Sequence, residues 1–140
     1  MSSGAQNRLG GLLKRAQTKL VESYGSVLAE HGIDGRELAV VAALAEHGPG
    51  TQQEVGVALG IDRTTMVALV DGLADKGLVR RRPHPTDRRK NLLDVTAAGR
   101  RVVTAATPAV EAAERAFLAP LAPGEADQLR RMLRVLVGAV

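Results

Sequence analysis

Six of the chain's 19 lysines and arginines fall between Arg80 and Lys90, and Asp87 is the only acid among them. Outside that window 13 basic residues meet 14 acidic ones, so the net charge of +4 is concentrated at one place. Guanidinium and ammonium groups at this density neutralise a polyanion, and duplex DNA is the partner they suit best. A second set, Arg63-Thr64-Thr65, places a guanidinium and two hydroxyls at the start of a stretch with helical periodicity. Other chemistries find little support. His31, His47 and His84 are scattered, no two share the i, i+4 spacing of a helical metal site, and cysteine is absent. No metal, cofactor, disulfide or cysteine-based redox sensor is expected. No nucleophile–base pair, carboxylate pair or phosphate-cradling loop stands out, so the chain does not read as an enzyme.

The elements that carry these residues follow from the apolar spacing. Leu9, Leu13, Ala16, Leu20, Tyr24 and Val27 predict a long amphipathic helix over residues 9–28. Its apolar stripe meets either a partner chain or its own domain. Asp34 is placed to cap a second helix with Leu38, Val41, Leu44 and Ala45 inward, stopped by Gly48-Pro49-Gly50. Thr51-Gln52-Gln53-Glu54 matches a capping box opening a short helix to Leu59, with Gly60 in the left-handed turn behind it. A fourth helix follows, burying Met66, Leu69, Val70 and Leu73 and ending at Gly77. Two helices joined by a tight glycine turn, the second polar at its exposed start, make a helix-turn-helix, a pattern many helical hairpins share.

Residues 78–82 and 91–95 are β-prone and bracket Pro83-His84-Pro85-Thr86-Asp87, which no continuous helix tolerates. A basic hairpin after a helix-turn-helix is a winged helix, and the combination is far more specific than either part. Thr96 then caps a long helix through Gly99, Val103, Ala106, Val110, Ala113 and Phe117, with a kink expected at Pro108. A final helix places Ala126, Leu129, Leu133 and Leu136 inward and Arg130, Arg131 and Arg134 outward. The fold class is mainly α with a small β-hairpin wing: a winged helix-turn-helix flanked by N- and C-terminal helices. With 140 residues it reads as a single domain, residues 34–96 forming the winged helix-turn-helix part. No run of about 18 apolar residues exists for a membrane span, and the N-terminus lacks the pattern of a signal peptide. A cytoplasmic location is the expectation.

Two stretches, GIDRTTMVALVDGLADKGLV and RRRPHPTDRRKNLLDVTAAGR, resemble the MarR family of transcriptional regulators. The second resembles the family's Asp-x-Arg wing signature, here Asp87-Arg88-Arg89. The order and length of the helices match over nearly the whole chain. The resemblance implies a homodimer built by residues 1–33 and 97–140, reading two half-sites of a pseudo-palindromic operator about 10 base pairs apart. It also implies repression relieved by a small phenolic or lipophilic effector bound between the dimer helices and the winged helix. One departure is Ala68, where many family members place an arginine that reaches a base. Ala68 donates no hydrogen bond, which shifts base reading toward Arg63, Thr64 and Thr65.

Candidate residues follow. Arg89, at the wing tip, is placed to enter a narrow A·T-rich minor groove, with Asp87 holding its guanidinium. Arg88, Lys90 and Arg80 to Arg82 suit phosphates, although strand alternation sends Arg81 to the opposite face from Arg80 and Arg82. His84 is also placed to touch DNA. Arg63 suits guanine O6 and N7, Thr64 and Thr65 bases or phosphates, and Val67 either a thymine methyl or tolerated surface. Thr51 and Gln52 suit a phosphate contact, plain helix capping, or both. Tyr24 and Phe117 are packing residues or the lining of an effector pocket. The competing reading is a degenerate winged helix that binds protein, against which the retained basic wing argues.

Overall fold

The computed structural model describes residues 3–139, which form two compact units. Residues 24–110 make the larger one. It holds the end of α2 (Leu9–Ala29), then α3 (Gly35–His47), β1 (Gly50–Thr51), α4 (Gln52–Leu59), α5 (Arg63–Asp75), β2 (Val79–Pro83), β3 (Asn91–Val95) and the start of α6 (Ala97–Leu118). The other unit takes α1 (Ser3–Gln6), most of α2, the end of α6 and α7 (Glu125–Val137).

Local chemistry explains most boundaries of the larger unit. Asp34 and Glu37 form a reciprocal capping box at α3, each side chain accepting from the other's backbone N–H. Thr51 Oγ1 accepts from Glu54 N at the start of α4. Gly60, at φ 67°, ends α4, and Gly77, at φ 71°, turns the chain out of α5 into β2. Buried Leu28, Val40, Val41, Leu44, Val55, Met66, Val70, Leu73, Leu93 and Ala106 bring five helices and the sheet onto one core.

The sheet holds a strand that helix-breaking signals had hidden. The expected hairpin is there, with β2 pairing antiparallel to β3 from Val79↔Val95 to Pro83↔Asn91. β1 adds a third strand on the other side, Gly50 opposite Leu93 and Thr51 opposite Leu92. Gly48-Pro49-Gly50 therefore stops α3 and also delivers the chain to the sheet. Pro83 is the last residue of β2, a strand-end position that a residue without an N–H can occupy.

The base of the wing is tied to α6. Thr96 Oγ1 donates to Gly77 O (2.7 Å) and accepts from Gly99 N (3.0 Å), while Thr96 N donates to Leu78 O (3.1 Å). Gly99 is required by space: a Cβ there would stand 2.3 Å from Leu78 O and 2.8 Å from a methyl of Val95. Helix α6 runs through Pro108 as one element.

In the smaller unit no described residue is buried. Leu133 and Leu136 were expected to point inward; within the single chain they face solvent, at 37% and 71% exposure. Leu9, Leu12, Leu13 and Val21 of α2 and Met132 of α7 are exposed as well. Among the described residues its polar ties include Arg130 to Glu114 at 3.4 Å.

Candidate nucleic-acid interface

Helix α5 buries Met66, Val70 and Leu73, so the remaining positions of its first two turns are presented outward. Arg63, Thr64, Val67 and Ala68 are exposed, and Thr65 is half-buried at the border. Asp62 caps the helix twice over: Oδ1 accepts from Thr65 N at 2.8 Å, and Oδ2 accepts from the Thr65 hydroxyl at 2.7 Å. Those bonds, the backbone one first, hold the Asp62 carboxyl below its ordinary range.

The wing loop is ordered by its own side chains. His84 N donates to Lys90 O, and His84 Nδ1 accepts from Thr86 N (3.2 Å) and Asp87 N (3.1 Å). His84 thus folds the loop, leaving only its other ring nitrogen for a partner outside. Asp87 Oδ1 accepts from Arg89 N at 3.0 Å and from Arg89 Nε at 3.2 Å. The guanidinium and backbone N–H of Arg89 in turn lower the Asp87 carboxyl's pKa, the guanidinium being the larger influence. The Arg89 side chain remains 90% exposed, oriented from below and open above.

The strand arginines divide by face, as alternation requires. Arg80 and Arg82 share the buried Asp94, at 3.1 and 3.6 Å. Arg81 projects the other way and is ion-paired with Asp71 on the outer face of α5. Arg81, one of the three arginines expected toward phosphates and the one that alternation sets apart, pairs its guanidinium with α5. Among the described residues, Arg88 and Lys90 form no salt bridge, so they are the wing cations most available to an external anion.

Between α4, the start of α5 and the outer end of β3 lies a cleft of about 450 Å³, lined in part by Gln52, Gln53, Val57, Arg63, Arg89 and Lys90. It brings together residues from the three segments singled out in the sequence. Thr51 also borders it; it is buried, and its hydroxyl oxygen accepts from Glu54 N as the α4 cap, which leaves the hydroxyl proton to donate elsewhere. Val57, 77% exposed, and Gln53 were not anticipated. Their only signal was position on the polar side of a short helix. Of the aromatic pair, Tyr24 packs against the core of the larger unit and Phe117 is half-buried in the other. No group of three potential metal ligands occurs among the described residues, and no described helix is long and apolar enough to cross a membrane.

A helix-turn-helix formed by α4 and α5, followed by the antiparallel β2–β3 hairpin, defines a winged helix-turn-helix protein. Comparison with known proteins narrows the class. The MarR family model matches residues 31–90. The helix-turn-helix transcriptional repressor NicR of Pseudomonas putida is 25% identical over 130 residues, covering 93% of this chain and 82% of that protein. The regulator YdcH of Bacillus subtilis is 31% identical over 121 residues, covering 84% of this chain and 82% of its own. Among solved structures, Bordetella bronchiseptica BpsR, described with regulation of its DNA binding by 6-hydroxynicotinic acid, superposes with a TM-score of 0.88 at 26% identity, covering 96% of each chain. The chain belongs to the MarR family of transcriptional regulators, which are DNA-binding proteins rather than enzymes.

Proposed function

We propose that this regulator is a homodimeric repressor that reads a pseudo-palindromic duplex operator and is released by a small aromatic acid. The cleft carries the DNA reading. One phosphodiester strand separates a major groove from the neighbouring minor groove, and a winged helix that enters both must straddle it. Arg63 on the helix side, Arg89 and Lys90 on the wing side, and Gln52 and Gln53 at an exposed helix start surround one concavity of suitable charge. Arg63, Thr64 and Thr65 face base edges in the major groove, Arg89 enters the minor groove, and Arg88 and Lys90 hold phosphates.

Two further observations support the remaining parts. Exposed Leu9, Leu12 and Leu13 on α2 and Leu133 and Leu136 on α7 are apolar surface that a second copy would cover. The aromatic-acid effector is carried from the BpsR likeness, not from a pocket of this chain. A protein that reads chromosomal DNA in this way works in the cytoplasm.

Selection of bound sequences from a random duplex pool tests the reading. An inverted repeat with half-sites about one helical turn apart is expected. A pool that emerges without enrichment would refute sequence-specific binding.

A further inference from the structure

Thr65 stands in the first turn of α5, where residues of a recognition helix meet base edges. Its hydroxyl proton is already committed, donated to Asp62 Oδ2 at 2.7 Å, and its backbone N–H holds the other carboxylate oxygen at 2.8 Å. A hydroxyl has one proton and two acceptor lone pairs. Once the proton lies in a charge-assisted bond to a carboxylate, only acceptor capacity remains for anything outside.

We propose that Asp62 is a specificity-determining positioning residue: by holding the Thr65 proton it makes Thr65 an acceptor, so that adenine or cytosine is selected over guanine or thymine on the strand Thr65 faces. In the major groove adenine N6 and cytosine N4 are donors, whereas guanine O6 and thymine O4 are acceptors. An acceptor set against an acceptor leaves both unpaired in a desolvated contact, which is costlier than a missing bond. The geometry at Asp62 reinforces the assignment. Both of its oxygens accept from the same residue, so the carboxylate fixes the hydroxyl rotor. Its bonds to Thr65 hold the carboxyl below the ordinary carboxylate range, so it is ionised, and hence acceptor-only, at neutral pH. This inference rests on α5 being the duplex-reading helix.

The test compares duplexes selected from a random pool by the full-length wild-type, Asp62→Asn, Thr65→Val and Thr65→Ser proteins, followed by titration of duplexes differing at the affected position. Asparagine caps a helix about as well as aspartate, so Asp62→Asn should stay folded with only a small loss of melting temperature. Its Oδ1 can still accept from Thr65 N, but its Nδ2 carries donors only and cannot take the hydroxyl proton. Expected is a wild-type preference of about tenfold for adenine or cytosine at one position per half-site, falling to about twofold or inverting in Asp62→Asn. Thr65→Val should lose the preference there, Thr65→Ser should keep it, and the other positions should stay unchanged. A wild-type motif that Asp62→Asn reproduces unaltered would overturn the inference alone. No motif from the wild type would overturn the operator-reading function and this inference with it.

Discussion

Asp71 on the outer face of α5 and Arg81 on β2 are ion-paired, so the recognition helix and the wing strand hold one another directly. Both side chains are partly solvated, and such a pair adds at most about 1 kcal/mol to stability. A bridge between α5 and β2 restricts their relative orientation, and the proposed DNA reading uses both elements. Arg81→Ala and Asp71→Ala should each weaken operator binding about tenfold while the urea midpoint barely moves. The exchanged pair, Asp71→Arg with Arg81→Asp, should recover part of the loss, because the bridge is remade in reverse. Equal affinity for all four proteins would show that the bridge positions nothing.

Arg89 is nine-tenths exposed, so its removal costs the fold little. Arg89→Ala should lower operator affinity by roughly 1–3 kcal/mol, the range of a good base contact, with the melting temperature within about 2 °C of wild type. Lys90→Ala should act differently. It should weaken selected and unrelated duplexes alike and reduce the salt slope by about 1 per protomer. Titrations at several salt concentrations separate the two behaviours, and a salt slope that Lys90→Ala leaves intact would remove it from the phosphate contacts.

The junction of wing and α6 has no room at Gly99, where a Cβ would meet the Leu78 carbonyl oxygen at 2.3 Å. Gly99→Ala should cost about 1–3 kcal/mol, the typical penalty of overpacking, even though alanine favours a helix. Urea denaturation checks this: an unchanged or higher midpoint would mean that the wing base yields freely.

Acid should loosen the start of α5 and the wing loop in a defined window. Asp62 and Asp87 both have folded-state pKa values below the ordinary 3.8, lowered by bonds to Thr65 and Arg89. A depressed carboxylate contributes stability that is fully present above its unfolded pKa and is lost as pH falls through its folded value. Asp62→Asn with Asp87→Asn should therefore lower stability at neutral pH and flatten its decline below about pH 4. Thermal melts from acid to neutral pH give the comparison, and parallel curves for mutant and wild type would contradict it.

Leu133 and Leu136 of α7 are both exposed in the single chain, Leu136 far more than Leu133. Replacing both with aspartate should leave helical content intact and convert a dimer to a monomer in sedimentation. Operator affinity should drop steeply, since in the proposed dimer each protomer grips one half-site. A dimer that survives both substitutions would place the interface elsewhere.

How far the sequence could be read depended on the range of the interaction. The caps at Asp34, Thr51 and Thr96 act over three residues, and the turns at Gly60 and Gly77 are single-residue devices, so each was legible locally. The buried stripe of α5 followed from helical period alone. Strand β1 was hidden because two residues beside Pro49 become a strand only through Leu92 and Leu93, some forty positions later. For the same reason the charge count of the wing was readable and its pairing was not. Which arginines stay free depends on Asp71 and Asp94, whose approach is set by helix docking and sheet register. The sharing of Thr65's proton with Asp62 was invisible for a subtler reason: composition reports a hydroxyl as both donor and acceptor.

The most direct measurement is the affinity of the full-length protein for its selected duplex and for a shuffled duplex, from roughly 50 to 200 mM salt. The selected duplex should bind about 10³-fold or more tightly than the shuffled one, and both affinities should fall steeply as salt rises. Equal binding of the two duplexes, or affinity indifferent to salt, would contradict an operator-reading winged helix.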